Sequence, residues 1–334
     1  MAEPNSPHDA LFKSAFSNPE NAAALFRAIL PERLLAALDL STLTAEPGSY
    51  IDDQLASAHS DLLFSVNLAG RPAYLYTLLE HRSSPHELMP LRLLKYMMRI
   101  WERHVDEHGQ GKQALPLPFI VPIVVHHGEG GWTAATRLEE LFDETLAAEL
   151  EFGPLLPRLE FLLDDLSGLS DEELRRRAHG LGPALSLWAL RDARNSGRLE
   201  SSAHRWLGAL LELARAESGR EALTVIFRYL CVVADESITV TLYSTLSEHS
   251  PEAKEALMTL EQALLARGEA RGEARGEIRA KVKAVLDVLE VRMLPVSAEQ
   301  RARIEACTEL ELLDRWHRAA VTVSVTSDLF ALSS

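Results

Sequence analysis

The chain has 334 residues, 47% hydrophobic and 25% charged, enough apolar material for one sizeable core or two domains of ordinary soluble composition. No window approaches ~18 uninterrupted apolar residues, and the polar start Met1-Ala2-Glu3-Pro4-Asn5 lacks the apolar stretch of a signal peptide, so no membrane span is expected and the cytoplasm is the expected compartment. A net charge of −15 argues against a uniformly basic nucleic-acid binder but leaves room for a local basic surface.

Residues 8–40 read as helical, from Leu11, Phe12, Phe16, Leu25, Phe26, Ile29 and Leu30 at helical spacing, with a second helix starting at Pro19 after Ser17-Asn18. The stretch 41–50 has room for a short strand ended by Pro47-Gly48. Residues 61–68 alternate, Ala69-Gly70-Arg71-Pro72 makes a turn, and 73–80 returns as a β-rich arm, which predicts a hairpin. Met89 to His108 predicts a helix with Leu91, Leu94, Met97, Met98 and Trp101 on one side. Phe119-Ile120-Val121-Pro122-Ile123-Val124-Val125 reads as a buried strand, and Pro122 implies a broken ladder or a nearby edge. His126 to Trp132 follows as a loop.

These elements make an α/β unit over residues 7–135. Residues 136–265 read as an all-helical second domain, with breaks at Gly180-Leu181-Gly182-Pro183 and Glu217-Ser218-Gly219. A third segment, 266–334, opens with Arg267-Gly268-Glu269-Ala270, repeated at 271–274 and, ending in Ile278, at 275–278. Each glycine costs ~1 kcal/mol inside a helix, so the repeat is either a flexible charged linker or a helix packed on a partner. Further helices follow, broken at Leu294-Pro295. This segment and the acidic charge also suit a scaffold whose helical C-terminal half assembles, for instance as a homodimer.

Asp61 and Glu80 stand at the far ends of the two hairpin arms. Paired acids are costly unless a cation or proton neutralises them, and hard oxygen ligands with room for water suit Mg2+. Side chains 80 and 82 share a face. On the next helix Arg92, Lys95, Arg99 and Arg103 line one side, with Tyr96 one turn after Arg92. A basic stripe beside paired carboxylates fits phosphodiester hydrolysis; a solvated face paired with Glu102 and Asp106 fits the same residues. Asp9, near the start of the first helix, reads from the residues alone as a helix N-cap. His126-His127 point in different directions in a strand, which favours a structural or phosphate-contacting loop over a metal site. Trp188, Trp206 and Trp316 read as core or interface residues, and Cys231 and Cys307 form neither a disulfide framework nor a zinc cluster.

Pro7-His8-Asp9-Ala10-Leu11-Phe12-Lys13, Asp61-Leu62-Leu63-Phe64, Leu79-Glu80-His81-Arg82-Ser83, Met89-Pro90-Leu91-Arg92-Leu93-Leu94-Lys95-Tyr96-Met97 and Pro122-Ile123-Val124-Val125-His126-His127-Gly128 together resemble the recombination-promoting nuclease family, also described as "putative transposase, YhgA-like", of the PD-(D/E)XK nuclease superfamily. The resemblance is detailed over residues 7–135 and weaker beyond. It implies a restriction-endonuclease-like α/β (α+β) core with a mixed sheet, followed by a mainly helical C-terminal region. It also implies a DNA endonuclease dependent on Mg2+, with Mn2+ as the alternative metal. Asp61, Glu80 and the His81 carbonyl would be ligands, Asp9 would be an accessory acid unless it is only a cap, and Arg92-x-x-x-Tyr96 would contact DNA beside the stripe residues Arg99 and Arg103. Position 82, glutamine in the family and usually lysine in the superfamily, is Arg82 here. Arginine cannot deprotonate water at neutral pH. Either Arg82 acts electrostatically, or Lys95 supplies the amine, or this chain binds DNA and cleaves poorly.

Overall fold

In a computed structural model, which describes residues 6–46, 62–80, 86–109, 111–307 and 309–331 (Glu80 and 259–275 by backbone alone), the predicted hairpin forms around Ala69-Gly70. Both turn residues have positive φ, 48° and 78°, the handedness that lets a two-residue turn follow the twist of its strands. The arms are β2 (Leu62–Leu68) and β3 (Arg71–Glu80), antiparallel from Leu68↔Arg71 to Leu62↔Thr77. Upstream lie three helices, α1 (Pro7–Phe16), α2 (Pro19–Ile29) and α3 (Glu32–Ala37), and then β1 (Leu38–Ala45). The helical reading of 30–40 therefore stops three residues early, because Leu38 turns extended to pair with Leu68 of β2.

The helix α4 (Met89–His108) carries the chain to β4 (Phe119–His126), which lies parallel to β3, and β5 (Leu162–Asp165) adds a fifth strand parallel to β4. The sheet is mixed, in the order β1-β2-β3-β4-β5. Pro122 is in a continuous ladder with Tyr76 on one side. Pairing with β5 begins only at Ile123, so the N–H that proline lacks is at an open stretch of β4.

One sheet face is covered by α4. Leu63, Tyr76, Leu78, Val124 and Phe161 pack there against Met89, Leu93, Tyr96 and Ile100. Of the side expected from the sequence, Met97 is buried and Leu94 and Trp101 are partly buried against Leu138 and Leu159, whereas the side facing the sheet is Met89, Leu93, Tyr96 and Ile100. Leu91 and Met98 are each about half exposed, at 49% and 50%. The opposite sheet face receives α1 and α2, with Phe26 of α2 edge-on to Phe64 at 5.6 Å.

After α5 (Glu144–Glu149) and β5 the chain is helical: α6 (Asp171–Arg176), α7 (Leu181–Asp192), α8 (Ser196–Arg215), α9 (Arg220–Val233), α10 (Glu236–His249) and α11 (Pro251–Val291). The boundary expected at 135/136 falls inside the first of two units, Met1–Met258 and Thr259–Ser334, because β5 completes the sheet and α1 packs on α7 and α9. Trp188 and Trp206 are fully buried there, as expected. The 267–278 repeat lies within α11, so its backbone is helical. The second unit adds α12 (Ala298–Glu305), α13 (Leu310–Ala320) and α14 (Asp328–Ala331) around Val285, Leu289, Ile304, Leu313, Trp316 and Leu329. Among the described residues no helix is long and apolar enough to cross a membrane.

Candidate active site

The three parallel strands end on one line: Glu80 of β3 pairs with His126 of β4, and His126 with Asp165 of β5. In open α/β sheets ligands bind outside the carboxyl ends of the strands, so this edge is where the fold offers a site. His126 is on the α4 face, its ring edge-on to Trp132 at 5.3 Å, and Trp132 is in turn edge-on to Phe161 at 5.7 Å. The Gly128 amide donates to His126 Nε2 at 3.2 Å. Both Asp165 oxygens accept backbone amides, from Trp132 at 2.8 Å and Ser167 at 3.0 Å, which makes Asp165 a loop clamp. Gly131 allows that clamp, since its φ is +71° and a Cβ there would come within 3.3 Å of the Asp165 carboxylate.

His127 faces the other way, as adjacent strand residues must. Its ring is 4.9 Å from that of His8 on α1, and its Nδ1 donates to the Leu190 carbonyl at 2.9 Å. Arg194, in the α7–α8 turn, donates to His8 Nε2 at 2.7 Å. A guanidinium can only donate, so His8 accepts there and its Nδ1–H points to the Tyr229 hydroxyl at 2.9 Å. Burial holds the Tyr229 hydroxyl protonated, its pKa raised against the opposing pull of Arg194. Thus α1, β4, α9 and the α7–α8 turn meet directly behind the rung that holds Glu80.

Burial, then His8 and Arg194, push the His127 imidazole well below its ordinary 6.5. The native state keeps it neutral while the unfolded chain takes a proton below about pH 6.5, so stability falls as pH drops through that value. Urea midpoints measured from pH 7.5 to pH 5.5 should show the wild type losing up to about 1.4 kcal/mol per pH unit more than His127→Gln. Parallel curves would mean that His127 carries no such linkage.

Asp9 is in the first turn of α1, buried at 4% exposure, and the N-cap is Ser6, so the capping alternative does not hold. The His8–His127 contact puts that turn at the carboxyl end of β4, the same end as Glu80. On α4 the expected residues separate. Tyr96 is not on the surface: it is buried against Tyr76, with ring centroids 5.6 Å apart, so it does not offer the expected DNA contact. The Arg92 guanidinium lies 5.9 Å over its ring. Arg99 and Arg103 are exposed and paired along the helix with Glu102 at 3.2 Å and Glu107 at 2.8 Å, the second in place of Asp106. Such exposed pairs contribute ~0.5 kcal/mol or less and give way readily to a phosphate. Lys95 is exposed on the side of α4 turned from the sheet, so its amine is not brought toward β3.

Asp61, His81 and Arg82 lie outside the described residues, as does the Glu80 side chain. Among the described residues no group of three His, Cys, Asp or Glu could hold a metal ion. The sequence reading missed Asp165, Trp132, Arg194 and Tyr229. Only Asp165, an acid ending a short apolar run, left a local signal.

Residues 6–221 match the family described as "Putative transposase, YhgA-like". The chain is 28% identical over 264 residues to the recombination-promoting nuclease RpnD of Escherichia coli O157:H7, covering 78% of this chain and 94% of that protein. It is 31% identical over 266 residues to the inactive recombination-promoting nuclease-like protein RpnE of Escherichia coli K12, covering 79% and 83%. To RpnA, a recombination-promoting nuclease of the same strain, it is 28% identical over 266 residues, covering 79% and 85%. No solved structure matches.

Proposed function

We propose, from the premise that this chain belongs to the YhgA-like putative transposase family, that it is a metal-dependent DNA endonuclease with a role in recombination or mobile elements. What supports this reading is the backbone at the carboxyl edge. β3 ends at Glu80 beside His126, whose ring lies on the α4 face of the sheet. Asp61 immediately precedes Leu62, whose partner Thr77 lies three residues before Glu80. The described strands of the hairpin thus run out toward positions 61 and 80 at the same end.

Asp61, Glu80 and the His81 carbonyl are hard oxygen donors, the set that takes Mg2+ or Mn2+ alongside water. When bound, the metal supplies a water of lowered pKa and a positive charge opposite the phosphate oxygens. Arg82 presents fixed N–H donors to a phosphoryl oxygen, where negative charge grows during water attack on phosphorus. Arg92, steadied on Tyr96, and Arg99 and Arg103 on the same flank hold the flanking phosphates. Leu94, Met97 and Trp101 lean toward Leu138 and Leu159 at the β5 side, which leaves this basic flank on the β2 side. Asp9 approaches from α1 as an accessory acid.

A second reading, a DNA-binding protein without turnover, is favoured by Arg82 and by the inactive relative at 31% identity. Supercoiled plasmid incubated with Mg2+ or Mn2+ separates them. The first reading expects cutting by the wild type that is lost in Asp61→Ala. Salt-dependent binding without cutting, with cutting gained in Arg82→Gln, establishes the second.

A further inference from the structure

Two apolar sides of α4 compete for burial, and the sheet takes only one. The inward side is Met89, Leu93, Tyr96 and Ile100. The other runs through Leu91, Met98 and Val105, spaced by seven residues, so the three fall in line along the helix. Leu91 and Met98 remain about half exposed, and Leu117, which borders the same groove as Met98, is 40% exposed. Met98, Trp101, Val105 and Leu117 line one groove with Glu102 and Asp106 at its rim. A contiguous apolar strip bordered by charge marks a protein contact, and phosphate would gain nothing from it.

The charges along the strip say which protein. Beside the strip lie Lys95 in the N-terminal half of α4 and Glu102 and Asp106 in its C-terminal half. An antiparallel helix of identical sequence, centred on Met98, sets Leu91 against Val105 of the second copy and Met98 against Met98. It also brings Lys95 alongside Glu102 of the second copy, twice over because the two-fold repeats every contact. We propose that this face of α4 pairs with the same face of a second copy of the chain. The basic flank of Arg92 and Arg103 lies on the other side of the helix and stays open. The pairing does not depend on the nuclease reading, and it is a different surface from the C-terminal helices expected to assemble.

Sedimentation of the full chain tests it, with the fold of each variant checked by circular dichroism. The wild type is expected at twice the 37.0 kDa chain mass. Met98→Glu and Lys95→Glu should each weaken association at least about 100-fold, since like or unpaired charge pressed into a contact costs several kcal/mol. Lys95→Glu and Glu102→Lys should each be monomeric alone and form a heterodimer when mixed, because every reversed charge then meets its opposite. A monomeric wild type, a mixture that fails to associate, or a dimer indifferent to Met98→Glu overturns the proposal; the last result places assembly elsewhere, in the first instance on residues 259–334.

Discussion

A Glu80→Gln chain is expected to keep its thermal transition and to lose at least about 100-fold of its Mg2+-dependent DNA cleavage. Glutamine keeps the size of the side chain and one carbonyl oxygen, so strand β3 can run to its last rung opposite His126 as before. What it removes is the negative charge. In the proposed site Glu80 and Asp61 would share one divalent cation, whose charge would offset the repulsion between two carboxylates. Taking one charge away should therefore weaken metal binding while relieving repulsion, so thermal stability without metal should stay level or rise. The paired readout matters: activity lost together with the fold would implicate structure alone, and activity retained would remove Glu80 from the metal site. Raising Mg2+ should recover part of the Glu80→Gln rate, since a weakened site fills at higher ion concentration.

Where local periodicity is strong, the sequence is read correctly, and long-range packing accounts for the rest. The hairpin could be read because Ala69-Gly70 interrupts two alternating arms, and α4 because twenty residues repeat at helical spacing. Yet α4 has apolar residues on two sides, and the sequence does not say which one a sheet will bury. Met89, Leu93, Tyr96 and Ile100 form a cleaner i, i+4, i+7, i+11 series, and that series would have placed Tyr96 inside and Lys95 outside. Strand β5 escaped because four residues ending in Asp164-Asp165 carry no alternation. Asp164 is buried and paired with Arg177 at 3.0 Å, burial raising its carboxyl and Arg177 opposing that rise. Arg194 was missed because no local pattern marks it. Its partner His8 is 186 residues away, and only the docking of α1 on α7 and α9 brings them together.

Asp192→Ala is expected to destabilise the first unit by about 3–5 kcal/mol, a fall in its unfolding temperature of about 10 °C. Asp192 is fully buried, and Arg191 grips it with both arms, Nε and Nη2 each at 2.7 Å. Arg198 adds a contact at 3.0 Å. The same Arg191 donates to the Leu169 carbonyl at 2.7 Å and to Asp171 at 2.6 Å, and Asp171 also accepts from Arg205 at 2.7 Å. Burial would raise the Asp171 carboxyl, but the hydrogen bonds from Arg205 and Arg191 outweigh it and bring its pKa down to about 2. Three guanidiniums are thus balanced by two carboxylates where α6, α7 and α8 meet the loop after β5. Removing Asp192 leaves three cations on one acid, with Arg191 only 3% exposed and unable to turn to water. A surface ion pair would cost ~1 kcal/mol at most, so the size of the loss separates a buried clamp from a decorative one. Tryptophan emission reads it directly. Trp188 and Trp206 stack 6.1 Å apart in this unit, with Arg175 4.4 Å over Trp206, whereas Trp316 belongs to the core of the second unit. The transition of the first unit should move and that of the second should not, and a loss below ~1 kcal/mol would mean that the helices hold together by apolar packing alone.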